Sequence, residues 1–189
     1  MGSQTKIALV VGAIISVCMF GILGLIARSC FFLNCVPERA FNVLDLGLPS
    51  ELFPSEATGG SFSRPSTSEG AFETGFLSYN WLDGRGRATY EVWRFRTPAE
   101  ASRAFTAVSG EGIYLEEKDF FYRSAVADEF AVGCGRLENF PGYRCNLGAR
   151  YQEYAINFQS IIDHEMSMEM FNEVVIVIDE QMEKHLYQE

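Results

Sequence analysis

Between Lys6 and Arg28 lie 21 consecutive residues without a charge, IALVVGAIISVCMFGILGLIA. A helix of that length covers about 31 Å, which matches the hydrocarbon core of a bilayer. A cleavable signal peptide has a shorter apolar region, usually about 7–15 residues, and ends in a small-x-small site. Ala27-Arg28-Ser29 ahead of Cys30 is a poor lipidation site because of its arginine. The run therefore predicts an uncleaved single-pass anchor that meets the lipid bilayer over residues 7–27. A signal peptide and a lipoprotein are the rival readings. The opening MGSQTK also fails the myristoylation pattern, which requires Ser or Thr where Lys6 stands.

Ala8, Gly12 and Ser16 recur every four residues on one face of such a helix, with Gly24 farther along it. Small residues at that spacing let helices approach closely in lipid, so this face is a candidate for packing against a membrane protein partner. Small residues are common in membrane helices in any case, and that is the competing explanation.

Charge does not orient the span, because Lys6 and the amino terminus oppose Arg28 and Arg39. Cysteine does. Cys18 lies inside the run, leaving Cys30, Cys35, Cys134 and Cys145. An even number in short loops points to disulfides and an oxidising compartment. Three pairings are open, of which Cys30–Cys35 and Cys134–Cys145 close the shortest loops; four buried thiols are the alternative. Neither pair has zinc-ligand spacing with a matching second half. The expected location is the cell membrane, with residues 1–6 cytoplasmic and the bulk of the chain extracytoplasmic. A signal would then leave this chain only through another membrane protein.

Lys6 is the one charge ahead of the run, so 14 of the 15 basic residues and all 25 acidic ones follow it, a balance of -11. That excess excludes the phosphate-neutralising surface of a nucleic-acid binder and disfavours docking on anionic lipid. About 160 residues make one domain. The expected organisation is a transmembrane helix over 7–28, a Pro/Ser/Gly-rich tether over 29–70 and an α+β domain over 71–189. Within the tether, Leu44, Leu46, Leu48, Leu52 and Phe53 are too apolar to leave in water, so residues 43–54 should lie on the folded domain. Residues 55–70 read as mobile.

AFETGFLSYNWL and RATYEVWRFR flank Asp83-Gly84-Arg85-Gly86, which predicts a hairpin. Pairing through that turn puts Leu77, Tyr79, Trp81, Tyr90 and Val92 on one face and Phe72, Phe76, Trp93 and Phe95 on the other. Both faces are apolar, so either both are covered or one binds something. Thr97-Pro98-Ala99-Glu100 is a capping box with proline at the first helical position, and that helix stops at Gly110. Strands are expected near 112–116, 121–126, 129–134 and 151–161. Residues 165–187 suit a helix on the spacing of Phe171, Val174, Val175, Ile178, Met182 and Leu186. The fold class expected is α+β, an antiparallel sheet packed with two helices.

FRTPAEASRAF, ADEFAVGCG, YRCNLGARYQEYAINF and the upstream LGLPSELFP together resemble small extracytoplasmic domains of bacterial lipoproteins and membrane-anchored proteins of unassigned function. The resemblance covers roughly residues 44–185. It implies a fold and a compartment and carries over no catalytic residue.

No catalytic motif is present. There is no G-x-S-x-G, and Ser109 in VSGEG sits at a helix end. The two histidines, His164 and His185, are about 30 Å apart if helical and cannot share a site. Glu116-Glu117 with Asp119, Asp128-Glu129 and Asp179-Glu180 read as solvated surface. Calcium loops, phosphate loops, dinucleotide fingerprints and C-x-x-C-H are missing. No catalytic, cofactor-binding or metal residue is nominated, and no cofactor is expected. Arg85, Arg87, Arg94 and Arg96 read as basic islands on an acidic domain. Tyr79, Trp81, Trp93 and Phe121 are candidates for an aromatic binding face. The expected function is an anchored, non-catalytic interaction module, an accessory subunit of a membrane complex. The alternative is a domain that binds a small-molecule ligand in an aromatic pocket, with an enzyme as the third reading.

Overall fold

The turn after Trp81 fixes the register of the first hairpin. Leu82, Asp83 and Gly84 all adopt positive φ, and Arg85 N–H donates to the carbonyl of Leu82, so Trp81 ends up facing Gly86. In this computed structural model, which describes residues 36–63, 70–110, 122–136 and 142–188, that pairing runs the length of β2 (Glu73–Trp81) and β3 (Gly86–Arg94). Gly86 is required by a close approach. A Cβ there would lie 1.9 Å from Trp81 Nε1, because the indole crosses its backbone.

Four more strands complete one antiparallel sheet: β1 (Thr58–Gly59), β4 (Glu129–Arg136), β5 (Tyr143–Tyr151) and β6 (Tyr154–Ile162). Their spatial order is β1-β2-β3-β6-β5-β4, so β6 returns to lie against β3 and joins the hairpin to the β4–β5–β6 meander. Two helices accompany the sheet, α1 (Pro98–Gly110) and α2 (Met168–Leu186). The chain is α+β as its patterning predicts. Among the described residues no helix is long and apolar enough to cross a membrane. The run 7–27 lies outside them, as do Ala8, Gly12, Ser16 and Gly24.

Side chains alternate across a strand, so the ladder assigns each residue a face. One face carries Leu77, Trp81, Tyr90, Val92, Ile156, Phe158, Leu147 and Ala149, all buried. α2 covers it with Phe171, Val174, Val175, Ile178, Met182 and Leu186, the stripe its spacing predicts. Phe171 stacks on Phe158 at 5.0 Å between centroids. The β-branched run Val174–Ile178 is helical because its apolar side is consumed by the sheet. Beside α2 lies the tether, whose Val43, Leu46, Leu48 and Phe53 are buried and whose Leu44 is exposed. Asn42 caps the first of its two short 3-10 turns, with Asp45 closing the capping box. The stretch read as mobile is partly structured: β1 pairs with β2, and Ser63 bridges Phe76.

α1 lies on the opposite face. Val108, Phe105 and Ser109 pass over Gly148, and Ala101 packs against Ala155 beside Trp93. Glu100 N–H donates to Thr97 Oγ1, one half of the expected box, while the Glu100 carboxylate accepts from Arg96 N–H. The segment Tyr122–Val126 is not a strand, and Tyr143–Tyr151 is one that the sequence reading did not separate. Residues 112–116 lie outside the described part.

Candidate functional site

α1 covers the second face over β5, β6 and the start of β4, and among the described residues nothing covers the adjoining stretch toward the hairpin turn. The opening is a groove of about 330 Å³. Its floor is polar by alternation, since Thr89 and Glu91 point to this side while Tyr90 and Val92, next to them in the chain, point to the buried one. Glu91 faces Asn157 across β3–β6, Thr89 faces Gln159, and Asn146 of β5 faces Gln159 from the other side. Arg87 and Arg144 stand at the end nearer the turn, and Phe76, opposite Glu91, walls the other end. A second hollow, formed by Gly70, Phe95, Glu100, Arg103 and Ala104, is built on a carboxylate already engaged in helix capping.

Two amide side chains on this face have their orientation settled. Asn157 Nδ2 donates to Glu91 Oε2 at 3.3 Å, and Asn146 Nδ2 donates to the carbonyl of Val108 at 3.4 Å. Each nitrogen meets a group that only accepts, so neither amide can be turned round without loss. Both residues are 4% exposed, and both Oδ1 atoms lack a hydrogen-bond partner. A buried acceptor without a donor costs about 1–3 kcal/mol, so such atoms ask for one.

The aromatic candidates divide across the sheet. Tyr79 and Trp81 lie on the covered face, where Tyr79 stacks on Phe53 at 4.3 Å and Trp81 Nε1–H donates to Asp163 Oδ2 at 2.9 Å. Trp93 projects to the other face beside Ala101 and Ala155. The sheet stands between the two indoles, so they do not line one pocket. Phe121 lies outside the described residues.

Of the cysteine candidates, Cys134 and Cys145 are directly opposed on β4 and β5 and form a disulfide. Cys30 and Cys35 lie outside the described residues. His164 is exposed, near Glu165, and His185 packs on the ring of Phe41 at 4.6 Å.

Two buried carboxylates went unrecognised in the sequence. Glu153, in the two-residue turn between β5 and β6, accepts from Arg39 through both oxygens at 2.8 and 2.7 Å, and Arg94 stands 3.6 Å away. The hydrogen bond from Arg39 to Glu153 raises the guanidinium's pKa further. Arg94 is therefore no surface island: it is 5% exposed and lies within 3.7 Å of Glu73. Asp179 is likewise not solvated. It accepts from the hydroxyls of Tyr122, Ser124 and Tyr151, tying α2 to the sheet and to the segment before β4. Burial first, and then the charge of Asp179 and its hydrogen bonds, push both phenols well above their ordinary range. Asp128 and Glu129 pair with Arg150 at the meander's edge.

Among the described residues no group of three or more His, Cys, Asp or Glu is placed to hold a metal ion. No protein-family model, curated protein or solved structure matches this chain.

Proposed function

We propose that this chain is a membrane-anchored interaction module, an accessory subunit that presents its sheet to a partner outside the cytoplasm. The observation that carries the reading is the unequal covering of the sheet. One face is sealed by α2 and the tether, while the other, among the described residues, holds a groove furnished with guanidinium, carboxylate and amide groups. Those groups suit recognition through charge and hydrogen bonding, and no histidine or cysteine stands among them. The uncharged run 7–27 supplies the anchor, with Ala8, Gly12, Ser16 and Gly24 as its packing face. The Cys134–Cys145 bond suits an oxidising compartment.

The experiment is extraction of native membranes in mild detergent with the chain tagged at its carboxyl end, followed by sizing and mass spectrometry. A stoichiometric membrane protein that co-purifies is the expected result, and replacing Gly12 and Ser16 by leucine should loosen it. A lone chain or a homodimer would refute the accessory role and favour a domain that binds a small ligand in the same groove. Ligand-dependent stabilisation, about 2.7 kcal/mol at 100 times the dissociation constant, would then be the measurement to make.

A further inference from the structure

We propose, resting on the reading of the run 7–27 as a membrane anchor, that one end of the sheet lies in the bilayer interface, with Leu44, Phe72 and Tyr187 at headgroup depth. These are the large apolar side chains that stay exposed among the described residues, at 39%, 51% and 43%. Single exposed apolar residues need no explanation, but these are not scattered. Phe72 stands ahead of β2 and donates its N–H to the carbonyl of Arg94, the last residue of β3. Val43 N–H donates to Glu73 Oε2 at 3.4 Å, so Leu44 is one residue from a group bonded to the neighbour of Phe72. α2 starts after the far end of β6 and runs 19 residues, about 28 Å, back along the sheet. It delivers Tyr187 to the same end, beside Gln152 of the β5–β6 turn. His185 packs on Phe41, which stacks on Tyr154 at the start of β6, and this fixes the helix end there.

The chain enters the domain at this end too. Arg39 is clamped to Glu153 and Gln152 in the β5–β6 turn, eleven positions after Arg28 at the close of the uncharged run. Fully extended, that stretch covers at most about 40 Å. β2 and β3 are nine residues long, about 30 Å, so this end can meet the lipid while the Arg87 end of the groove stands clear of it. The local charges decide the kind of membrane. Glu153 lies against Arg39 and Arg94, Glu73 against Arg94, and Asp128 and Glu129 against Arg150. A paired end brings little net charge to an interface, whereas the chain as a whole carries -10 and is repelled by anionic headgroups. Phenylalanine and leucine enter the acyl boundary, and a tyrosine keeps its hydroxyl at headgroup level. Arg94 stands over the Phe72 ring at 5.8 Å and steadies it. The occupant is thus a zwitterionic lipid surface, held by apolar insertion and not by charge.

The test uses the full chain reconstituted in phosphatidylcholine vesicles, with or without bromine on the upper acyl carbons, which quenches tryptophan on contact. Phe72→Trp and, separately, Tyr187→Trp add a reporter at this end, and Arg87→Trp adds one at the other. Each is read as the difference from wild type, which carries Trp81 and Trp93. All three sites are exposed, and an unchanged melting temperature verifies each fold. Insertion by about 5–10 Å should quench the first two reporters by about half and leave the third at the level of wild type. Leu44→Ser and Phe72→Ser, added to Tyr187→Trp, should remove most of its quenching. No quenching at this end, equal quenching of Arg87→Trp, or quenching that survives both serine substitutions and so reflects mere proximity would overturn the proposal. Quenching that requires anionic lipid or disappears in high salt would do so as well. Alkaline carbonate extraction separates this inference from the anchor. A chain that resists extraction but is not quenched keeps the anchor and loses the docking. A chain released by carbonate loses the anchor, and brominated vesicles added to it from outside still decide whether this end meets lipid.

Discussion

Replacing Glu153 by glutamine keeps the shape of the β5–β6 turn and removes a negative charge from a place with two cations and almost no water. The Glu153 side chain is 1% exposed, that of Arg94 6% and that of Arg39 17%. Removing one partner from a buried ion pair costs about 3–5 kcal/mol, because the remaining charge is stranded. Two features place this case at the lower end. Arg39 is near enough to solvent to reorganise, and Arg94 keeps Glu73 at 3.7 Å. A loss of about 3 kcal/mol, at roughly 2–4 °C per kcal/mol for a chain of this size, lowers the melting temperature by about 6–12 °C. Thermal unfolding of the full chain in mild detergent, followed by far-ultraviolet circular dichroism, reads that shift. A Glu153→Gln chain that melts within a degree of wild type would refute the argument.

Three other perturbations have defined outcomes. Gly86→Ala forces its Cβ into the Trp81 indole and breaks the bond to Asp163, so stability should fall by about 2–4 kcal/mol with a red shift in tryptophan emission. An unshifted spectrum would mean that the indole has room to move. Replacing both Cys134 and Cys145 by serine opens a link between positions 11 apart, worth up to about 3 kcal/mol in the chain-entropy model, and the urea midpoint should drop accordingly; an unchanged midpoint would refute this. Folding raises the phenol pKa values of Tyr90, Tyr122, Tyr151 and Tyr154, in each case chiefly by burial. The stabilisation from these neutral phenols is fully present below about pH 10 and is lost as pH climbs toward the raised folded values. Absorbance at 295 nm should therefore show four of the eight tyrosines ionising only as the chain unfolds. A single smooth titration near pH 10 of all eight, with the fold intact, would count against it.

The elements legible in the sequence are those where local pattern and tertiary role coincide. The Asp83-Gly84 turn announces the β2–β3 register, and the stripe from Phe171 to Leu186 identifies the helix that seals the core. Tyr143–Tyr151 also alternates, with Tyr143, Cys145, Leu147, Ala149 and Tyr151 on one side. It was hidden by the turn after it, Gln152-Glu153, which contains neither Gly nor Asn nor Pro. Gln152 adopts a φ of 53° there, and Glu153 is held in place by Arg39, 114 positions away, and by Arg94. No local signal encodes such a turn. The groove is illegible for a related reason. Each of Arg87, Thr89, Glu91, Arg144, Asn157 and Gln159 is an ordinary outward residue of its own strand, and they become neighbours only because β6 inserts between β3 and β5. Asp179 reads as surface because Glu180 follows it, yet it sits one residue past Ile178 on the buried edge of its helix.

That insertion of β6 also governs the order of events as the chain is made. The β2–β3 hairpin can close as soon as residue 94 is available, but its free edge and its apolar face wait for β6 and then for α2, some 60 to 90 positions later. Until then Leu77, Trp81, Tyr90 and Val92 have little to pack against, and β3 presents an unpaired edge open to wrong partners. The core is closed only when α2 has been made, so a nascent chain of this design depends on protection until that helix is available. A truncation that removes α2 should leave an aggregating fragment and no smaller stable domain.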